Sequence, residues 1–308
     1  SIAYLSTLVA GVLACLVASG GVPMLTTAAD AAPTASGVSL TPVVEMNIPP
    51  VFSVMTALTL AFVFGLGIAA TQAQQLKQLS DQGRDVIQLT LSKVIIPLLP
   101  VYIAGVFAQM AAAGTVFGTL KTFGIVLILA VALHWIWIIT LYVIAGVKAG
   151  RSPLVLIKNM LPAYFTALGT MSSAATIPVS LQATKSNGVK PQVADFTVPL
   201  CATIHLSGST ITIVSCAVAV MAMQNGLEIP SLLTMLPFIF MLGVVMLAAP
   251  GVPGGAVMSA VGLLGSMLGF GEAAIALMIA LYMAQDSFGT ACNVTGDGAI
   301  AVLVDKAD

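Results

Sequence analysis

Asp286, Thr290, Asn293 and Asp297 lie within the stretch QDSFGTACNVTGDGA, residues 285–299. Positions seven and eleven apart return to nearly the same side of an α-helix. Asp286, Asn293 and Asp297 therefore form one stripe, with Thr290 beside it. The flanking segments, AAIALMIALYMA and IAVLV, are strongly apolar. A carboxylate at the centre of a bilayer costs about 2.5–3.5 kcal/mol on insertion scales, and two cost about twice that unless something compensates. Hydroxyl and amide partners would satisfy them as plain structure. A hard cation with oxygen ligands and a polar solute are the partners the pattern favours.

Three other breaks interrupt apolar sequence. In GTMSSAATIPV, a helix restarting after Ser172–Ser173 leaves backbone N–H groups unpaired, a setting that attracts a carboxylate or other anion. In PGVPGGA, Gly251, Gly254 and Gly255 permit a tight reversal, while Pro250 and Pro253 remove donors. That segment reads as a loop or a mobile gate. HLSGST breaks a third helix and frees carbonyls around residues 203–206. His205 reads either as a hydrogen-bonded structural histidine or as a proton or ligand carrier. His134, beside Trp135 and Trp137, reads as an interfacial or packing residue.

The elements that must position these groups are membrane helices. The chain has 308 residues, 59% of them hydrophobic and 7% charged, with a mean hydropathy of +1.09. Apolar runs of about 20 residues, enough to cross a hydrocarbon core, recur at 51–71, 94–113 and 122–147. An all-α integral membrane protein is expected, since a membrane barrel would show short alternating segments instead. The net charge of −1 gives no basic surface, and no nucleic-acid partner is expected. Cys15, Cys201, Cys216 and Cys292 lie in apolar runs without metal-ligand spacing and read as small core residues. The chain starts at Ser1 with no basic leader, which reads as an incomplete N-terminus.

Along the chain, a helix is expected over 2–17 and an aqueous loop over 19–50. A helix at 51–72, a polar connector (QAQQLKQLSDQGRD) and helices at 86–112 and 119–147 follow. The second half reads as a broken hairpin 153–184, a broken helix 192–222, a second broken hairpin 230–267 and a final helix 270–304. Paired interrupted segments are the best pointer in a sequence to a transporter's binding site. Charge placement agrees. Lys77, Arg84, Lys148, Arg151, Lys158, Lys185, Lys190 and Lys306 share one side if 153–184 dips in and returns, and Lys93 can snorkel there. Segments 19–50, 223–229 and 266–272, on the other side, carry no Lys or Arg. Lys121 is the exception.

At its four breaks the chain resembles the dicarboxylate/amino acid:cation symporter family. The matching pieces, in the family's order and spacing over about 153–308, are SSAATIPV followed by KSNGV, FTVPLCATIHLSGS, PGVPGGA and DSFGTACNVTGDGA. Upstream, YLSTLVAG resembles the family's third helix. The resemblance implies an elevator-type transporter with two re-entrant hairpins, a scaffold that trimerises, and further scaffold helices before Ser1. It places residues 1–18 and 113–308 in the transport domain and 51–112 in the scaffold. It also implies substrate contacts from Ser172 and Ser173 at the first hairpin, from Gly251, Val252, Pro253 and Gly254 at the second, and from Asp286, Gly289, Thr290 and Asn293. Asp286 would hold an α-ammonium; Asn293 and the Ser173 N–H would take an α-carboxylate. Asp297 would ligate sodium with carbonyls near Cys201, His205 and Asn293, and backbone near Thr203 and 247–249 would form another sodium site.

Two departures from the family pattern decide the expected substrate. Acidic-substrate members place an arginine where this chain has Gly289, or in the first hairpin where it has Met171. A buried charge needs a partner, so a neutral side chain is expected. The family's Asn-Met-Asp-Gly-Thr motif reads here His205–Leu206–Ser207–Gly208–Ser209, which weakens a further cation site with Ser6 and Thr7. Fewer sodium ions, or a proton on His205, would follow. The expectation is a multi-pass symporter of the cytoplasmic membrane, not an enzyme. It has no cofactor, uses sodium (or H+) as coupling ion, and carries a small neutral amino acid inward. The alternative is a dicarboxylate or acidic amino-acid symporter. An intramembrane aspartyl protease is disfavoured, because Asp286 and Asp297 lie roughly 16 Å apart along one helix. A passive channel would not accumulate solute against a gradient.

Overall fold

The computed structural model describes residues 2–27, 51–112, 114, 116–224 and 227–307, and every regular element among them is helical. The chain divides into two compact units, one of residues 1–34 with 115–308 and one of 35–114.

In the smaller unit, α2 (Val54–Thr71) starts at Ser53, whose side chain accepts from Thr56 N at 3.2 Å. The polar segment after it, expected as a connector, is instead helix α3 (Gln74–Thr90). Its Gln, Lys and Leu residues are good helix formers, and this local preference outweighs the lack of apolar character. A π-helical turn, Leu91–Ile95, joins it to α4 (Ile96–Ala112), so Gln74–Ala112 forms a 39-residue helical run. The wide turn lies just before Pro97 and Pro100, which lack the N–H a regular turn would use. Phe62, Val63, Phe64 and Leu66 on α2 are exposed, as are Leu98 and Val101 on α4.

In the larger unit, α1 spans Ile2–Thr27, ten residues beyond the expected end at 17, and takes in Gly20, Gly21 and Pro23. Ala10, Ala14, Ala18 and Val22 recur every fourth residue and are all fully buried. Packing of that stripe extends the helix past residues that would end it in isolation. The rest of the expected loop, 28–50, lies outside the described residues. Helices α5 (Val116–Ala149), α6 (Pro153–Thr170), α7 (Ser173–Ser186), α8 (Pro191–Ile204), α9 (Ser207–Met223), α10 (Leu232–Met246), α11 (Gly255–Leu268), α12 (Glu272–Met283) and α13 (Asp286–Asp305) follow. Helix α1 packs against α9 and α10.

Helix α13 is the hub, touching α5, α6, α7, α8 and α9. Its small residues allow this close approach. A Cβ on Gly298 would fall 2.7 Å from Met160 Cε and 2.8 Å from Tyr142 Oη. The Tyr142 hydroxyl also donates to the Thr295 carbonyl at 2.8 Å. The expected final helix 270–304 is two helices, because Glu272–Met283 and Asp286–Asp305 meet at 60°. Asp286 is therefore the first residue of α13, where a carboxylate complements the helix dipole.

Helices α6 and α7 form a hairpin closed at its base by polar side chains. Asn187 Nδ2 donates to the Leu156 carbonyl at 3.1 Å, Asn159 Nδ2 donates to Asn187 Oδ1 at 2.9 Å, and the Arg151 guanidinium donates to the Asn187 carbonyl. Helices α10 and α11 form a second hairpin with residues 247–254 at its tip. Among the described residues, four helical runs are long and apolar enough to cross a membrane: Ile2–Pro23, Gln74–Ala112, Val116–Ala149 and Pro191–Met223. The bent α12–α13 pair makes a fifth if it counts as one span.

Candidate functional site

The first hairpin turns at Met171, a non-glycine residue held left-handed at φ 50°. Ser172 then caps α7, accepting from Ala175 N at 3.2 Å. Its hydroxyl also donates to the Gly251 carbonyl of the second tip at 2.7 Å, so the two tips meet. The second tip ends at Gly254, whose φ of 73° suits glycine. Gly254 N–H donates to Asp286 Oδ2 at 2.7 Å, and the Tyr282 hydroxyl donates to Asp286 Oδ1 at 2.9 Å. Thr290, one turn along α13, faces the pocket between the tips.

Between the tips, α9 and α13 lies a pocket of about 10 Å³, the space of about one water molecule. Of the residues expected to bind substrate, Ser173, Gly251, Val252, Asp286, Thr290 and Asn293 line it. Ser172 and Gly254 reach its wall through the hydrogen bonds above. Pro253 is on the tip but not on the lining. Gly289 faces α9 closely: a Cβ there would lie 3.1 Å from Thr212 Oγ1. No Lys, Arg or His lines the pocket, and Met171 takes a place on its wall.

Asn293 does more than the stripe suggested. Its Oδ1 accepts from Gly208 N at 2.7 Å and Ser209 N at 3.2 Å, and its Nδ2 donates to Ser209 Oγ at 2.9 Å. The amide thus satisfies the first free N–H groups of α9. Gly208 admits this approach. A Cβ there would come within 2.6 Å of Cys292 Cβ and would strike the Gly289 carbonyl. From the opposite side, His134 Nε2 lies 3.1 Å from both the Gly208 carbonyl and Thr212 Oγ1. His134 is buried against α9 rather than at an interface.

A second cluster forms around the α8–α9 break. His205 Nδ1 lies 2.8 Å from Asp297 Oδ1, and His205 Nε2 lies 2.8 Å from Ser6 Oγ on α1. All three side chains are buried. Ser207 Oγ, two residues after His205, is buried and has no hydrogen-bond partner. Cys201 is buried in the last turn of α8, and its carbonyl accepts from His205 N at 2.8 Å. Thr203 is exposed, its hydroxyl turned back to the Leu200 carbonyl at 2.8 Å. Thr7 Oγ1 donates to the Ala3 carbonyl of its own helix at 3.1 Å. Among the described residues, no three His, Cys, Asp or Glu side chains gather as a metal site. Any cation here would be held mainly by carbonyl and hydroxyl oxygens, a set that suits a hard ion.

The model of the sodium:dicarboxylate symporter family matches residues 1–307. The chain belongs to the sodium:dicarboxylate symporter family.

Within that family it is similar to excitatory amino acid transporter 1 of Homo sapiens, 28% identical over 257 residues. That match takes in 82% of this chain and 46% of the relative. It is also similar to the serine/threonine transporter SstT of Acinetobacter baumannii (strain SDF), 30% identical over 255 residues, with 80% of this chain and 62% of the relative covered. The chain thus spans about half to three fifths of the length of these relatives. The family and these relatives are transporters, not enzymes, and this symporter-family chain is a multi-pass membrane protein. Its sequence pointed to Asp286 but not to Tyr282, which shares the pocket with it. Tyr282 stands four residues before Asp286, and the bend between α12 and α13 keeps its hydroxyl against that carboxylate.

Proposed function

We propose that this chain is the substrate-carrying part of a sodium-coupled symporter that imports a small neutral amino acid across the cytoplasmic membrane. The observation that carries this reading is the pocket between the hairpin tips. It holds one carboxylate, Asp286, backbone groups and hydroxyls, with no side-chain cation on its wall. A zwitterion suits such a wall, its ammonium to Asp286 and its carboxylate to the N–H groups at the start of α7. A second carboxylate would be buried without a partner. The relative named for serine and threonine transport fits this chemistry. The pocket is too small for an amino acid as it stands, so binding requires the tips to part.

Sodium would bind at the α8–α9 break, using carbonyls freed there with Asp297 and Asn293. Ion and amino acid then each favour the arrangement the other needs, which is coupling. We assign the two hairpins as re-entrant and the larger unit as the moving body of an elevator. The exposed apolar faces of α2 and α4 fit a scaffold set in lipid or against copies of itself, and a homotrimer is the assembly we propose.

The test is uptake into proteoliposomes by the full-length protein, with serine, threonine, alanine, aspartate and glutamate offered under a sodium gradient. Sodium-driven accumulation of a neutral amino acid, with weak or no competition from glutamate, is expected. Sodium-driven uptake of aspartate or glutamate alone would overturn the neutral-substrate assignment.

A further inference from the structure

His134 has no part in the transport scheme above. It stands on α5, is 1% exposed and does not line the pocket. Its Nε2 lies 3.1 Å from the Gly208 carbonyl and 3.1 Å from Thr212 Oγ1. A carbonyl only accepts, so Nε2 carries the ring proton. Thr212 Oγ1 gives its own proton to the same carbonyl at 3.1 Å, which leaves its lone pairs for the imidazole N–H.

The Gly208 carbonyl belongs to the peptide unit whose N–H is that of Ser209. The Ser209 N–H donates to Asn293 Oδ1 at 3.2 Å. In a trans peptide the C=O and the N–H point in opposite directions within one rigid plane. His134 on α5 and Asn293 on α13 therefore hold the two ends of a single plane in the first turn of α9. The N–H of the preceding unit, Gly208 N, donates to the same Oδ1 at 2.7 Å. A carbonyl that accepts a hydrogen bond also makes the N–H of its own peptide a stronger donor.

The Asn293 amide has little freedom left. With Oδ1 taken by two N–H groups, a flip would set its NH2 against donors. Nδ2 gives one hydrogen to Ser209 Oγ at 2.9 Å. One N–H remains for the pocket that Asn293 lines. A single donor of fixed direction suits a carboxylate oxygen.

We propose that His134 is a positioning residue: acting across the Gly208–Ser209 peptide, it aims the Asn293 amide so that its free N–H meets the carboxylate of the amino acid. Without the imidazole, the Gly208 carbonyl keeps the Thr212 hydroxyl of its own helix but loses this tie to α5. The plane can then tilt, and the amide on its far end follows. The proposal deepens the neutral amino-acid reading and rests on it.

In proteoliposomes carrying the full-length protein, serine KM and kcat are measured at saturating sodium for the unaltered protein, His134→Leu and His134→Gln. Leucine has no donor, whereas the glutamine amide nitrogen reaches about as far as Nε2 and donates. His134→Leu should raise the serine KM about three- to tenfold, the range for one lost hydrogen bond, with kcat changed by less than about twofold. His134→Gln should bring KM back to within about twofold of the original. A residue that only fills space between α5 and α9 would lower the melting temperature of His134→Leu and leave its serine KM unchanged. That result overturns the positioning role, as does a KM that stays high in His134→Gln. Should His134→Leu not fold, His134→Asn, whose amide ends short of the Gly208 carbonyl, replaces it with the same expected rise in KM. If the unaltered protein accumulates no neutral amino acid with sodium, the substrate reading fails, and this inference with it. Failure confined to the variants leaves the substrate reading standing.

Discussion

Ser172 Oγ on the first hairpin tip donates to the Gly251 carbonyl on the second at 2.7 Å. The same oxygen caps α7 by accepting from Ala175 N. One hydroxyl therefore both starts a helix and closes the pocket. Ser172→Ala should cost about 1 kcal/mol of stability through the lost cap. It should also let a cysteine placed at Val252 react faster with a water-soluble maleimide when no substrate is present. The native cysteines at 15, 201, 216 and 292 are buried and give a low background. An unchanged labelling rate would mean that the bond does not hold the tips together.

Asp286→Asn keeps the shape of the pocket and removes its charge. Amino-acid uptake should fall to background, and serine should no longer raise the melting temperature in sodium. Retained uptake would remove Asp286 from the ammonium site.

Gly289→Arg should move preference towards aspartate and glutamate by supplying the missing cation, but not without help. The new Cβ meets Thr212 Oγ1 at 3.1 Å, closer than ordinary contact, and Thr212 is held by His134 and Gly208. Overpacking of this kind costs about 1–3 kcal/mol. The single variant should melt lower than the original, and Gly289→Arg with Thr212→Ala should recover stability and show the acidic preference. Competition of aspartate against labelled serine reads the outcome.

His205→Leu strips partners from both Asp297 and Ser6, which are buried. Loss of one member of a buried pair typically costs about 3–5 kcal/mol, so a steep drop in melting temperature is expected. His205→Asn with Ser207→Asp restores the family's oxygen ligands instead, and uptake should then depend more steeply on sodium. A Hill coefficient unchanged in that variant would refute a further cation site beside Ser6.

Asn187→Ala unties the base of the first hairpin. The buried Leu156 carbonyl loses its side-chain donor, and Asn159 loses the nearer of its two acceptors. A cost of about 1–3 kcal/mol follows, and thermal unfolding of the purified protein measures it.

The breaks in the sequence were the most legible features. SSAATIPV, HLSGST and PGVPGGA each fall where a helix stops and another starts, because Gly, Pro and Ser act on the backbone locally. What was hidden depended on contacts between distant segments. The run of α1 through SGGVP goes with the burial of Ala18 and Val22, which overrides the local preference of those residues. Residues 74–85 are helical although the sequence reads there as a connector, because polar side chains do not by themselves make a chain irregular. The orientation of Asn293 towards α9 could not be read from a stripe on one helix, since a stripe names a side and not the neighbour it meets. The bend before Asp286 lacks both Gly and Pro and left no mark in AAIALMIALYMAQD.

The two hairpins differ at the end away from their tips. Arg151, Asn159 and Asn187 bolt the first one shut, while among the described residues no side-chain hydrogen bond joins α10 to α11. Directional bonds resist shear, whereas greasy surfaces slide at small cost. The second hairpin is therefore expected to splay at lower cost than the first, like the loose jaw of a vice.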